Sequence, residues 1–342
     1  MLILAIETSC DETAIALTEA KGGLKIPRFK VLKSVVASQI KIHRPFGGVV
    51  PALAKREHQK NLPLVLKKVV KEKDISKIDL IAVTVGPGLE PALWQGISFA
   101  KELGKAWNKP VLAVNHLEGH IYSNWMNPIR NLKSEIRNLK IFPAVCLIVS
   151  GGHTILALMK NLTSWKILGA TRDDAVGECF DKVARMLELP YPGGPEIEKL
   201  AKLGDKTAVD FPRPMLHSPD FDFSFSGLKT AVLYYLYAHK KINKADICAS
   251  FQSAAFGTLI KKSLRAAAQF KAQSVLLSGG VASNKSLRAL FKKETQKANL
   301  NFFAPSLKLN TDNTAMISAA AYISFLQKKK KPLLRANGGL EI

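Results

Sequence analysis

Two histidines four residues apart carry the clearest chemical signal in the chain. In Val114-Asn115-His116-Leu117-Glu118-Gly119-His120, helical spacing puts the two imidazoles about 40° apart around the axis, on one face and one turn apart. Nitrogen donors so placed can converge on one metal ion. The apolar run Val111 to Val114 predicts a buried strand ahead of them. The pair then opens a helix at a strand's C-terminal end, where open α/β proteins bind ligands. Glu118 follows His116 by two residues, roughly 200° around the helix, so the pattern is not the His-Glu-x-x-His of zinc proteases. The plainer alternative is a polar helix start, and spacing alone leaves the two open.

A second group of residues suits an anionic ligand. The chain opens with an apolar strand, Leu2 to Glu7, a polar turn carrying Asp11 and Glu12, and a second strand, Ala14 to Thr18. A related pattern returns 141 residues later without a gap: Ser9 falls on Ser150, Thr13 on Thr154, Ala16 on Ala157 and Leu17 on Leu158. This predicts an internal duplication. The two turns differ in chemistry. Gly151-Gly152 lets backbone N–H groups approach a phosphate closely, whereas paired acids repel phosphate unless a cation intervenes. A further glycine turn, Gly279-Gly280, follows the apolar run Ser274 to Ser278 and leads through Asn284 into Lys285-Ser286. Asn284 stands where the second glycine of a phosphate-binding P-loop belongs, which excludes that motif. A glycine-rich strand-to-helix turn can still bind an anion or the sugar of a nucleotide. Asp312 precedes the last predicted helix, where it can cap that helix or supply a third metal ligand.

Composition narrows the class of partner. The 342 residues hold 50 Lys+Arg against 27 Asp+Glu, a formal charge of +23. That surplus favours a polyanion, either nucleic acid or an anionic surface, although a general lysine bias gives the same count. Cys10, Cys146, Cys179 and Cys248 are widely spaced with no Cys-x-x-Cys, which points to a reducing compartment. The N-terminus lacks a basic region before its short apolar run, and no run approaches the ~18 residues of a spanning helix. A cytoplasmic protein without membrane contact is expected.

The elements that position these groups follow from the pattern. After the first hairpin come a strand at Val31–Ser38, a helix from Pro51 to Lys73 kinked or divided at Pro63, a buried strand at Leu80–Val85 and a helix ending near Gly104. This βββαβα order describes the first lobe, and the second repeats it with additions. Ile129 to Lys133 recurs as Ile136 to Lys140, predicting a basic surface insertion over 127–140. Thr171 to Lys182 reads as a loop entering a helix, Phe221 to Thr230 as a strand or ordered loop, and Lys244 to Ala268 as helices. A last helix covers Ala315–Gln327, and Lys328 to Lys331 begin a mobile basic tail.

Eight motifs occur in an order that resembles one family: Glu7-Thr8-Ser9-Cys10-Asp11-Glu12-Thr13, His116 to His120, Val149 to Thr154, Phe180-Asp181-Lys182, Tyr191 to Pro195, Asp222 to Thr230, Ser278 to Val281 and Thr311-Asp312-Asn313. Over about residues 1–326 the chain resembles the bacterial form of the tRNA threonylcarbamoyl transferase family TsaD. The resemblance implies an α/β fold of the actin/Hsp70/sugar-kinase type, with two duplicated βββαβα lobes around a nucleotide cleft. The first lobe would hold 1–115 plus 313–327 and the second 116–312, with 127–140 and the tail 328–342 departing from the family pattern. It implies transfer of a threonylcarbamoyl group from L-threonylcarbamoyl-AMP to N6 of adenosine 37 in tRNA. By matched position His116, His120 and Asp312 would bind one divalent metal, iron (Fe2+) ahead of zinc (Zn2+). Ile148, Val149, Ser150, Gly151, Gly152, Asp181, Gly194 and Asn284 would hold the adenylate, with the Gly151-Gly152 and Gly279-Gly280 turns facing one another across the cleft on either side of it. Asp11 or Glu12 would accept a proton or organise the acceptor. Expected partners are tRNA, a smaller paralogous TsaB-like subunit and a TsaE-like ATPase.

Rival functions come from other classes. An ATP-dependent small-molecule kinase or carbamoyltransferase of the same fold would phosphorylate or carbamoylate small acceptors, and the histidine pair speaks against it. A metalloprotease lacks its motif here, and a non-catalytic scaffold would not need the metal and nucleotide motifs.

Overall fold

A computed structural model of the chain describes residues 1–126, 141–309, 313–327 and 332–342. The predicted 127–140 insertion, Asp312 and Lys328 to Lys331 lie outside the described residues. The described residues form two compact units, one built from the chain up to 126 together with everything from 305 onward, the other from 141 to 304.

The first unit begins with β1 (Leu2–Glu7), β2 (Glu12–Lys21) and β3 (Arg28–Ser38). There follow the short α1 (Ile40–His43), α2 (Pro51–Val69), β4 (Leu80–Gly86), α3 (Glu90–Trp107), β5 (Val111–Asn115) and α4 (His116–Tyr122). The second unit contains β6 (Ala144–Val149), β7 (Thr154–Asn161), β8 (Ser164–Ala170), α5 (Val176–Met186), α6 (Gly193–Ala201) and α7 (Ser226–Ala238). It closes with α8 (Lys244–Gln269), β9 (Ser274–Ser278), α9 (Lys285–Lys297) and β10 (Asn301–Phe303), after which α10 (Thr314–Gln327) belongs to the first unit.

The duplication is visible in the hydrogen bonding. The first sheet runs β3-β2-β1-β4-β5 and the second β8-β7-β6-β9-β10, each an antiparallel meander joined to two parallel strands. Ile3 pairs with Thr18, and the residues 141 further on, Ala144 and Met159, also pair. Ala5↔Ala16 and Cys146↔Ala157 repeat the relation. β1, β4 and β6 are buried along nearly their whole length, as strands covered on both faces must be, and they read as unbroken apolar runs. β3 is the sheet edge and mostly exposed, and its Lys30 and Lys33 suit an edge that must not pair with another chain.

Several local expectations change. α2 is one continuous helix through Pro63. Pro63 is exposed while Leu62, Val65 and Val69 are buried, so the apolar stripe holds the helix on the core and the carbonyl left without its N–H partner lies on the hydrated side. Lys244 to Gln269 is a single helix. Residues 222–225 form an ordered loop with one bridge, Thr171↔Phe223, before α7 begins at Ser226. α4 packs on α10, where a Cβ on Gly119 would come within 3.0 Å of Met316 and Ile317. The histidine helix therefore belongs to the first unit, although residues from 116 on were assigned to the second by sequence. The tail is also corrected: residues 332–342 are docked on the first unit, with Ala336 buried in its core cluster and Leu340 packed against it.

Candidate active site

The first-unit site is built where three parallel strands end. β1 ends at Glu7, β4 carries Thr84 near its end, and β5 runs directly into α4 at His116. Glu7 is only 1% exposed, and its carboxylate accepts from three directions. Oε1 accepts the Ser9 N–H at 2.6 Å, and Oε2 accepts the Thr84 hydroxyl at 2.7 Å and His116 Nδ1 at 2.9 Å. With Glu7 ionised its oxygens only accept, which assigns the shared proton to His116 Nδ1 and leaves Nε2 as the nitrogen that would bind a metal. The Ser9 hydroxyl also approaches Nδ1, at 3.3 Å.

The helical spacing brings the two histidines together as the sequence predicts. Their ring centroids lie 4.7 Å apart at an interplanar angle of 84°, and both side chains are buried. Asn115 fixes the helix start, its Oδ1 accepting the Leu117 N–H at 2.8 Å. Glu118 is the least buried residue of α4, consistent with its position away from the pair. A carboxylate holding the far nitrogen of a buried imidazole is the arrangement that orients metal-binding histidines. The donor set fits a divalent metal of the iron or zinc class. Among the described residues no cluster of three His, Cys, Asp or Glu is assembled for a metal, and Asp312, the expected third ligand, is outside them.

Asp11 and Glu12 sit half-buried at the β1–β2 turn, and a residue the sequence did not single out clamps that turn. His58 of α2, fully buried, donates from Nε2 to the Cys10 carbonyl at 2.9 Å and accepts the Thr13 hydroxyl on Nδ1 at 2.8 Å. It spans the turn on both sides of the two acids. Burial pushes its imidazole below the ordinary 6.5, against the opposing pull of the Cys10 carbonyl, so it is held neutral. Gln39 adds a backbone bond to the Asp11 carbonyl at 2.9 Å, and His43 Nε2 bonds the Gln39 side chain at 3.1 Å. Glu7 was missed as well. Its one sequence signal is an acid closing an apolar strand.

The second unit collects the expected adenylate residues at one end of its sheet. Ile148 and Ser278 are paired neighbours on β6 and β9, so Ser150-Gly151-Gly152 and Gly279-Gly280 leave the sheet side by side. They do not face one another across a cleft, because both glycine turns end adjacent strands of one sheet. The packing explains the glycines. Gly279 has φ 94°, and a Cβ there would meet the Val149 carbonyl oxygen at 2.2 Å. At Gly177 a Cβ would lie 2.5 Å from the Ser150 carbonyl oxygen, which accepts the Gly177 N–H. By contrast, Gly151, Gly152, Gly194 and Gly280 have no atom within 4 Å of a Cβ position, which leaves their backbone open to a ligand. Asp181 accepts the Gly193 N–H at 2.7 Å, fixing the turn that presents Gly194. Asn284 caps α9 through Oδ1 and donates to Gln252. Its role here is to shape the turn after Gly280.

Nearby, Asp173 accepts both the hydroxyl and the N–H of Ser226, the Ser224 hydroxyl and the Phe225 N–H. Burial opposes ionisation of Asp173, but these bonds pull its carboxyl below the usual range. Asp174 bridges Lys182 and Lys229 at 2.6 and 2.5 Å. These contacts order the 222–226 loop, which alternating polarity alone leaves between strand and loop.

Comparison with known proteins decides the family. The family model described as TsaD, tRNA N6-adenosine threonylcarbamoyltransferase, matches residues 30–319. The chain belongs to the TsaD family. The tRNA N6-adenosine threonylcarbamoyltransferase of Syntrophomonas wolfei is 48% identical over 337 residues, covering 97% of this chain and 95% of that one. The enzyme of the same name from Thermosipho melanesiensis is 48% identical over 327 residues, with 95% of each chain covered. Among solved structures, HypF of T. kodakarensis aligns with TM-score 0.57 at 16% identity, covering 96% of this chain and 47% of that one. The activator of the 2-hydroxyisocaproyl-CoA dehydratase from Clostridium difficile aligns with TM-score 0.50 at 13% identity, covering 96% of each. These two speak to fold alone, and with the paired five-stranded sheets they identify the actin-like ATPase fold expected from the TsaD motifs. No helix among the described residues is long and apolar enough to cross a membrane.

Proposed function

We propose that this chain transfers the threonylcarbamoyl group of L-threonylcarbamoyl-AMP to N6 of adenosine 37 in tRNA, giving t6A and AMP. The observation that carries the reading is near-full-length identity of 48% to enzymes of that name; the buried His116–His120 pair and the open glycine turns of the second unit support it. In the reaction the exocyclic amine attacks the carbamoyl carbon, a C–N bond forms, and the C–O bond to the AMP phosphate breaks. The amine loses one proton. Asp11 or Glu12, on the turn clamped by His58, is the group to receive it or to orient the amine. The open backbone at Gly151, Gly152 and Gly194 suits the adenylate, with Ile148, Val149 and Ser150 leading into that turn and Asp181 and Asn284 shaping its surroundings. His116, His120 and Asp312 would hold the divalent metal, with Fe2+ preferred over Zn2+. When bound, that metal supplies Lewis acidity toward the donor's oxygens. The protein's own part is orientation: Glu7 fixes the His116 tautomer, and α10 supports the face of α4 opposite solvent.

A net charge of +23 suits a tRNA substrate, and its binding should weaken steeply with salt as counterion release is lost. The paralogous TsaB-like subunit and the TsaE-like ATPase remain part of the proposal, acting as partners in multiple turnover. The test is reconstitution with unmodified tRNA, threonylcarbamoyl-AMP and both partners, followed by mass spectrometry of tRNA nucleosides. Formation of t6A that disappears with His116→Ala supports the reading. Absence of t6A with a folded, metal-loaded protein and competent partners refutes it.

A further inference from the structure

Residues 332–342 do more than end the chain. After α10 they return to the point where β4 and β5 leave the first sheet and bind there by main chain. The Asn337 N–H donates to the Val85 carbonyl at 2.9 Å, and the Gly88 N–H donates to the Gly338 carbonyl at 3.2 Å. The Gly338 N–H reaches Glu90 Oε1 at 3.1 Å, and Asn115 Nδ2 donates to the Glu341 carbonyl at 2.9 Å. Ala336 joins the apolar core that holds Val85 and Ala113, and the partly buried Leu340 packs against that core. The fit is close enough to require glycine on both sides. A Cβ on Gly86, whose φ is 154°, would lie 2.0 Å from the Asn337 carbonyl oxygen, and one on Gly338 would lie 2.9 Å from the Gly88 carbonyl oxygen.

The segment touches two elements that back the surroundings of His116. One is Asn115, the preceding residue, whose single side chain caps α4 with Oδ1 and holds the C-terminal segment with Nδ2. The other is the Gly86–Leu89 turn. The Leu89 N–H donates to the Ser9 carbonyl at 2.8 Å, and a Cβ on Gly88 would meet that same carbonyl oxygen at 2.5 Å. Ser9 in turn bonds both Glu7 and His116. Without the segment, the Val85 carbonyl, the Gly88 N–H and the Asn115 amide would each lose a partner next to the site, and the turn carrying Ser9 would lose its backing.

We infer that residues 332–342 form a positioning strap that sets the orientation of His116 through Asn115 and through the Gly88–Ser9 contact. The inference rests on the reading of His116 as a metal ligand for its consequence in catalysis, but the orientation itself can be read without metal. The strap makes its contacts mainly through backbone, so its side chains are freer to vary than its path. This explains how an unfamiliar tail sequence can serve the same site.

The test uses full-length protein carrying Gly338→Val, which crowds the Gly88 carbonyl, and Asn115→Asp, which keeps the Oδ1 cap and removes the Nδ2 donor. Leu333→Ala, at an exposed strap position, is the control. The primary readout is the imidazole 15N and 1H signals of His116 in metal-free protein. Hydrogen exchange at the Asn337 amide reports whether the strap has left. We expect both variants to keep the fold, to shift the His116 signals, and to lose about tenfold or more in metal affinity and turnover, the usual scale for removing an outer support of a metal-binding histidine. A peptide of residues 332–342 added to Gly338→Val should return the signals and the turnover saturably. His116 signals identical to native in a folded variant whose Asn337 amide exchanges freely would overturn the strap. If Asn337 stays protected in Gly338→Val, Asn115→Asp decides by the same signals. Native protein that takes up neither iron nor zinc would remove the metal reading alone and leave the strap to be judged on the His116 signals.

Discussion

Glu7→Gln is the sharpest single perturbation of the candidate metal centre, because it preserves shape and exchanges one acceptor for a donor. Ser9 N–H is a backbone donor 2.6 Å from Oε1 and cannot become an acceptor. The glutamine must therefore keep its carbonyl oxygen there and turn its NH2 toward Thr84 and His116. Thr84 can adapt by accepting. His116 can adapt only by accepting on Nδ1, which moves its proton to Nε2, the nitrogen that would bind the metal. Metal binding then has to expel that proton or break the new bond. The loss should be about 10–100-fold in metal affinity, equivalent to about 1.4–2.7 kcal/mol. The fold should suffer separately, by about 1–3 kcal/mol, from weaker hydrogen bonds at a site 1% exposed. Competition titration with a chromophoric chelator measures the first effect, denaturant unfolding of metal-free protein the second, and 15N correlation spectra the His116 tautomer. A folded Glu7→Gln protein with native metal affinity and its proton still on Nδ1 would refute the mechanism.

Three further outcomes follow from other parts of the molecule. Gly152→Val should leave thermal stability unchanged, since no atom lies within 4 Å of its Cβ position and its φ is unstrained, yet weaken binding of an adenylate analogue; calorimetry with unchanged affinity would remove Gly152 from the ligand site. Of the four thiols, Cys10 alone should be alkylated in folded protein at pH 8, because burial pushes Cys146 and Cys179 up to about 12 and Cys248 up to about 11; peptide mapping checks this. His58 should make stability fall with acidification: below about 6.5 the unfolded chain takes a proton that the folded protein resists, so stability is full above that pH and is lost downward toward the depressed folded value. His58→Gln should flatten that part of the denaturation profile, and an unaltered slope would show that another group carries it.

Much of this protein is legible in local sequence. The βββαβα order and its repeat at an offset of 141 residues are consequences of apolar periodicity and turn composition, which act over a few residues and so are written where they act. The His116–His120 pair is equally local, because helical geometry alone puts the fourth residue on the same face. The glycine turns announce an open backbone in the same way, although their side-by-side placement needed the β6–β9 pairing, which joins residues 130 apart such as Ala144 and Ser274. Pro63 and the 222–226 loop were misread or left open because burial of a helix stripe, and four bonds to Asp173, overrode local preference. What the sequence left unstated is contributed by residues far apart in the chain. Glu7 acquires its role only when β1, β4 and β5 bring Ser9, Thr84 and His116 around one carboxylate. His58 matters because α2 lies over a turn 45 residues before it. The tail, short, irregular and preceded by the run Lys328 to Lys331, offered no periodic signal and read as mobile. It is ordered by main-chain hydrogen bonds to strand ends more than 200 residues earlier, and backbone donors and acceptors are the one recognition chemistry that every sequence carries alike.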